Sequence, residues 1–183
     1  MKRLLAMMTL LSGAAWAWQL PSAQRLADFL PPAPSGYSRQ VLGDRVADAE
    51  LVLALYTSND HPDDSLQVNI IAVNGLGIYL VNPGNPNSFV YPCVPKAFFY
   101  EESQYKGFKM SKQAVDGNCD QERPDRPDVV EYNDSVLLYE GTDHGYVLQI
   151  QAFFPPPYDP AQFIPIDALL DAIDVEALAA LGG

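Results

Sequence analysis

Two segments of this chain alternate their side chains with a period of two, and that alternation constrains the fold more than any other feature. The alternating apolar residues are Leu66, Val68, Ile70 and Ala72 in the first segment, and Leu148, Ile150, Ala152 and Phe154 in the second. The intervening positions hold Gln67, Asn69, Ile71 and Val73 in the first segment, and Val147, Gln149, Gln151 and Phe153 in the second. Because successive side chains of a strand point to opposite faces, the period of two predicts two β-strands.

Shorter apolar runs predict further strands. Segments 50–57, 97–100, 129–132 and 136–139 are typical of strands, and 108–115 fits either a strand or a helical turn. The dipeptide Asn74-Gly75 predicts a hairpin that pairs the strand 66–73 with residues 78–81, since Asn-Gly is the strongest short hairpin signal.

Helical signals lie at both ends of the chain. Ser22 can cap a helix that runs to about Leu30, where the proline-rich segment 31–34 ends it. Near the C-terminus, apolar residues follow helical spacing at Ile166, Leu169, Leu170, Ile173, Ala177 and Leu181. The prediction is an α+β fold: an antiparallel sheet of six to eight strands with an N-terminal and a C-terminal helix packed on it.

The first seventeen residues have the composition of an export signal. Lys2 and Arg3 precede the mostly apolar segment 4–15, and Ala15-Trp16-Ala17 has the small-x-small pattern that signal peptidases recognise. The apolar run is too short to span a bilayer as a helix. We therefore predict a cleaved signal peptide over 1–17, a single globular domain over 18–183, and a periplasmic or secreted mature chain.

The mature chain contains two cysteines, Cys93 and Cys119. In an oxidising compartment an even number of cysteines favours a disulfide, and the spacing fits neither a C-x-x-C redox pair nor a zinc site. The sequence predicts one structural disulfide between them.

The chain is strongly acidic and its charge is unevenly distributed. Its net charge is −12, and removal of Lys2 and Arg3 with the signal leaves nine cations against 23 acids, or −14. Such a charge repels nucleic acids and anionic membranes. Asp167, Asp171 and Asp174 lie on the polar side of the predicted C-terminal helix, where they could form an acidic face that binds a basic protein. The alternative is a solvated surface that only maintains solubility.

Other polar residues are weaker candidates for a site. Asp116, Asn118 and Asp120 resemble the start of a calcium loop, but the glycine and glutamate that such a loop requires are missing, so a polar turn is the alternative. His61 and His144 each follow an aspartate and could act as a general base, or be ordinary turn residues. No catalytic residue is assigned, and no cofactor is predicted.

The opening of the mature chain resembles a known fold family. Segment 26–30 (LADFL), the turn 34–37 (PSGY) and the strands after it are similar to small exported domains of the PsbP/Mog1-like type. The resemblance covers about fifty residues and implies only the α+β architecture.

These observations favour binding over catalysis. We expect an exported acidic protein that binds another protein, as an immunity or inhibitor-type protein or as an accessory factor. A small-ligand or calcium-binding envelope domain is the alternative, followed by a hydrolase whose site lies around His144 or His61. The sequence does not specify an oligomeric state.

Overall fold

The structure is a computed structural model that describes residues 18–46, 49–62, 64–74, 97–116, 129–138 and 144–181, with only the backbone at 44–46, 74, 97 and 116. These residues form a seven-stranded antiparallel sheet with a few short helices, which confirms the α+β prediction. The strands are β1 (Tyr37–Val46), β2 (Ala49–Ser58), β3 (Ser65–Asn74), β4 (Ala97–Tyr105), β5 (Phe108–Asp116), β6 (Val130–Leu138) and β7 (His144–Phe154).

The sheet consists of two meanders joined at its centre. Its strand order is β1-β2-β3-β7-β6-β5-β4, so β3 of the first meander pairs with β7 of the second. At this seam Val68 lies opposite Ile150. Residues 75–81 lie outside the described residues, but β2 and β7 occupy both edges of β3. The predicted pairing of β3 with residues 78–81 is therefore wrong, because the long-range pairing with β7 takes the place of the local hairpin.

Strand β6 corrects a second prediction. The sequence indicated two short strands separated by Asn133-Asp134-Ser135, whereas the structure has one continuous strand, Val130–Leu138. The three polar residues lie at its middle and are buried. Buried polar side chains in a central strand need partners, and their neighbours on β5 and β7 are themselves largely polar.

The two faces of the sheet differ in chemistry. One face, here called the helix face, carries the apolar residues of the alternating segments, including Val68 and Ile150, and forms the core with the helices. The opposite face, here called the amide face, carries Asn69, Gln149, Gln151 and Asn133 on its three central strands. The alternation therefore separates the core from a second buried surface, on which these polar residues lie together with apolar ones such as Val73 and Val147.

Three short helices and one 3₁₀ turn pack on the helix face. They are α1 (Ala23–Ala27), the 3₁₀ turn Pro160–Phe163, α2 (Ile164–Asp171) and α3 (Val175–Ala179). Helix α1 contacts β1 and β2, and Ala23 lies so close to Gly43 that a Cβ there would be 3.1 Å from the Ala23 Cβ. None of the described helices is long and apolar enough to cross a membrane.

The single C-terminal helix expected from sequence is broken after Asp171. A new helix starts at Val175, and the Asp174 side chain caps it by accepting a hydrogen bond from the Ala177 N–H at 3.0 Å. Asp174 therefore has a structural role as a helix cap.

The β4–β5 hairpin turns at two residues with positive φ. Lys106 has φ of 49° and Gly107 has φ of 86°, as a type I′ turn requires. Beyond its chain neighbours, no described atom lies within 4 Å of a Cβ built at Gly107, so the backbone conformation is what restricts that position.

We predict that Gly107→Ala lowers the free energy of unfolding by about 1 kcal/mol, because an L-residue in the left-handed region carries that cost. Lys106→Asn is the matched control and should be at least as stable as the wild type, since Asn-Gly suits this turn. Urea unfolding of the three proteins measures both effects. An alanine variant as stable as the wild type would contradict the turn geometry.

Candidate functional site

Strand β4 forms one outer edge of the described sheet and exposes aromatic and acidic side chains together. Phe98 and Tyr100 are 45% and 55% exposed, and Glu101 and Glu102 are also exposed. The Tyr100 hydroxyl donates a hydrogen bond of 2.7 Å to Glu102 Oε1, which raises the pKa of Tyr100. These four residues are here called the β4 edge surface. The hydrogen bond helps to orient the Tyr100 ring.

Helix α2 lies beside this edge and is attached to it by polar contacts. The Tyr105 hydroxyl donates a hydrogen bond to Asp171 Oδ1 at 2.9 Å. Burial, and to a smaller extent this hydrogen bond, raise the pKa of Tyr105 to about 12. Lys112 Nζ on β5 lies 2.6 Å from Asp167 Oδ1. Two of the three aspartates predicted to form a partner-binding face are therefore held against the β4–β5 hairpin, and Asp174 caps α3.

Asp134, Lys112 and Asp167 form an acid–lysine cluster on the helix face. The Asp134 side chain is fully buried, and its Oδ2 lies 3.9 Å from Lys112 Nζ, too far for a hydrogen bond. Neither Asp134 oxygen has a hydrogen-bond partner among the described residues. Lys112 thus bonds to the half-exposed Asp167, while the buried carboxyl beside it accepts no hydrogen bond from the described residues.

This arrangement changes the proton affinity of Asp134. The pKa of its carboxyl is raised from 3.8 to about 7, chiefly because the buried charged form loses its hydration. The positive charge of Lys112 offsets part of this increase, and the negative charge of Asp167 adds to it. A carboxyl with such a pKa can exchange a proton near neutrality.

An aromatic cluster adjoins the acid–lysine cluster. Lys112 Nζ lies 4.7 Å from the centroid of the Phe163 ring, a cation–π distance. Phe163 packs edge-on against Tyr132 at 5.1 Å and against Phe99 of β4 at 5.8 Å. Ile164, which follows Phe163 in the chain, is 67% exposed. The aromatic residues therefore connect the core under α2 to the β4 edge.

The amide face holds a hydrogen-bonded chain across three central strands. Asn69 Nδ2 on β3 donates to Gln151 Oε1 on β7 at 2.9 Å, and Gln151 Nε2 donates to Glu131 Oε1 on β6 at 2.8 Å. Gln67 extends the chain through a 3.0 Å bond to Asn69. Gln149 is also buried, but its Nε2 has no partner among the described residues. The described helices pack on the other face, so these bonds link the strands directly.

Several predicted site residues are not brought together. Cys93, Cys119, Asn118 and Asp120 lie outside the described residues, so the disulfide and the calcium loop remain predictions. For Asp116, at the end of β5, the structure describes only the backbone. The described residues include no group of three or more His, Cys, Asp or Glu side chains suited to holding a metal.

The two histidines lie at opposite ends of the central strand pair β3–β7. His144 begins β7 and stacks on the Trp18 ring at a centroid distance of 4.7 Å. His61 is exposed in the loop between β2 and β3, beyond the other end of the β3–β7 pair. A site that combines both imidazoles is inconsistent with this arrangement.

Asp134 was the residue that sequence reasoning missed. It lies in an Asn-Asp-Ser tripeptide whose residues favour turns, so the sequence alone predicts a break between two strands there. The alternation of Val130, Tyr132, Val136 and Leu138 continues through it in register, and this was the available signal.

Comparisons with known proteins yielded no match: no family model, curated protein or solved structure matches this chain. The PsbP/Mog1-like architecture therefore remains a prediction based on the opening segment.

We predict that Gln151→Leu lowers the free energy of unfolding by about 1–3 kcal/mol. The substitution leaves the buried side chains of Asn69 and Glu131 without the hydrogen bonds that they make to Gln151. Gln149→Leu is the matched control, on the same face of the same strand, and should change stability by less than about 1 kcal/mol because its amide N–H₂ bonds nothing described. Equal losses in both variants, measured by urea unfolding, would contradict the proposed chain of amides.

Proposed function

We propose that this chain is an exported acidic protein, periplasmic or secreted, that binds another protein as an immunity or inhibitor-type protein or as an accessory factor. The observation that carries the proposal is the β4 edge surface, where exposed Phe98 and Tyr100 adjoin Glu101 and Glu102. Aromatic side chains with polar groups are the residues that most often dominate binding energy at protein interfaces.

The edge position supports a protein partner. A strand at the end of a sheet presents unpaired backbone N–H and C=O groups along one side, which an extended segment of another protein can bond. Tyr100 and Glu102 lie towards the amide face, whereas Glu101 lies towards the helix face beside Lys112. A partner on this edge would therefore meet acidic side chains on both sides of the strand.

The charges favour a basic partner. The net charge of the chain is −12, and α2 and α3 add Asp167, Asp171 and Glu176 without a Lys or Arg. Lys112 pairs with Asp167 and so offsets part of this charge. The two acids of the β4 edge surface, Glu101 and Glu102, would accelerate the encounter with a cationic protein. Added salt would weaken this effect.

A site-specific photocrosslink tests the proposal in cells that naturally make the protein. A benzophenone amino acid at Tyr100 should give an adduct with one basic protein, identified by mass spectrometry. Leu42, 48% exposed on β1 at the other end of the sheet, is the matched control position and should not give that adduct.

Charge reversal tests whether the acids contribute. In the Glu101→Lys/Glu102→Lys background the Tyr100 adduct should decrease at least tenfold, because the surface then repels a cationic partner. The proposal fails if position 100 gives no adduct beyond that at position 42, or if charge reversal leaves the adduct unchanged.

A further inference from the structure

We propose that the acid–lysine cluster is a proton-dependent latch, which holds helix α2 against the sheet when Asp134 is protonated and loosens it when Asp134 is ionised. The inference concerns the C-terminal helices and does not depend on the identity of a binding partner. It rests on the positions of three charged groups, one on each of β6, β5 and α2.

The geometry gives the cluster two charge states of different stability. With Asp134 neutral, Lys112 and Asp167 form a balanced pair at 2.6 Å. With Asp134 ionised, two carboxylates share one ammonium, and the additional negative charge lies on a side chain that is fully buried and has no hydrogen bond from the described residues. A buried carboxylate that shares its only described counter-charge and accepts no described hydrogen bond destabilises the structure around it.

The surroundings of Asp134 provide no other described counter-charge. On β7 its register partner is Ile150, and on β5 it is Lys112. The register partner of Lys112 on β4 is Glu101, an acid on the same face. The 3₁₀ turn contributes Phe163, and α2 contributes Asp167. In α3 the acid Glu176 is exposed. Every described acid facing this lysine therefore opposes ionisation of Asp134.

Helix α2 is the element that can yield. Asp134 and Lys112 lie on strands that are bonded on both sides within the sheet, whereas Asp167 is on a helix of eight residues with its side chain 49% exposed. Release of α2 admits water to Asp134 and restores the hydration of its carboxylate. Loosening the helix thus relieves the cost of ionisation directly.

The direction with pH follows from the raised pKa of Asp134. Since its pKa is about 7 in the closed form and near 3.8 when solvated, the closed form binds the proton more tightly. The contribution of this proton to stability is fully present below about pH 4, is lost as pH rises to about 7, and changes little above that. The ratio of open to closed α2 should rise by up to about tenfold per pH unit within this window.

Amide hydrogen exchange tests the latch, with rates corrected for their intrinsic pH dependence. In the wild-type chain, protection of α2 relative to β3 should fall steeply between pH 5 and pH 7, and in Asp134→Asn it should lose this dependence. Asp171→Asn is the matched control: it removes a second α2 carboxyl, bonded to Tyr105, and should retain the wild-type slope. A wild-type profile without slope, or the same slope in Asp134→Asn, would overturn the proposal.

Carbon-13 NMR of the wild-type aspartate carboxyls gives a second measurement that needs no variant to fold. The chemical shift of the Asp134 carboxyl carbon should titrate with a midpoint near pH 7. Asp167→Asn should lower that midpoint, because Lys112 then pairs with Asp134 alone. A wild-type midpoint below pH 5 would overturn the latch even if Asp134→Asn proved unstable.

Discussion

The pairing of β3 with β7 is the interaction on which the rest of the structure depends. Each meander can form from local contacts, but the core exists only after two strands about eighty residues apart align, with Val68 opposite Ile150. The bond between Asn69 and Gln151 crosses the same seam on the amide face. The chain must lose the entropy of closing this long loop before the contacts between the two strands can form. This pairing therefore carries the largest entropic cost in building the sheet.

The second meander determines where the charges meet. The C-terminal helices pack on its strands β6 and β7, so that the lysine-containing β4–β5 hairpin lies against α2. Lys112 then pairs with Asp167, and part of the C-terminal acidity is compensated within the molecule. Among the described residues, the acids that lie beside exposed aromatic side chains are those of the β4 edge, which is why the proposed binding surface lies there and not on α2.

Most of the strands could be predicted from sequence, because alternation reflects burial on one face directly. The errors occurred where local chemistry and long-range pairing disagree. Asn74-Gly75 favours a hairpin locally, yet β7 takes the edge of β3, and no local signal reports a partner so distant in the chain. Asn133-Asp134-Ser135 favours a turn, yet neighbouring strands bury it in a continuous strand.

The candidate sites were less predictable for the same reason. The sequence places Asp167, Asp171 and Asp174 on one side of a helix. The contacts of the first two with Lys112 and Tyr105 depend on how the second meander folds back. Asp134 gave no signal as a buried acid, since burial is a property of the assembled sheet. Positions that break a sequence rule without breaking the fold are where function is most often found, and Asp134 is such a position.

Cross-strand nuclear Overhauser effects between the backbone protons of β3 and β7 test the account most directly. The structure predicts contacts that follow the register Val68–Ile150 along both strands, together with slow amide exchange on each. Contacts from β3 to residues 78–81 in place of β7 would show that β3 forms the local hairpin instead of the long-range pair. In that case the seam, and with it the single seven-stranded sheet, would be wrong.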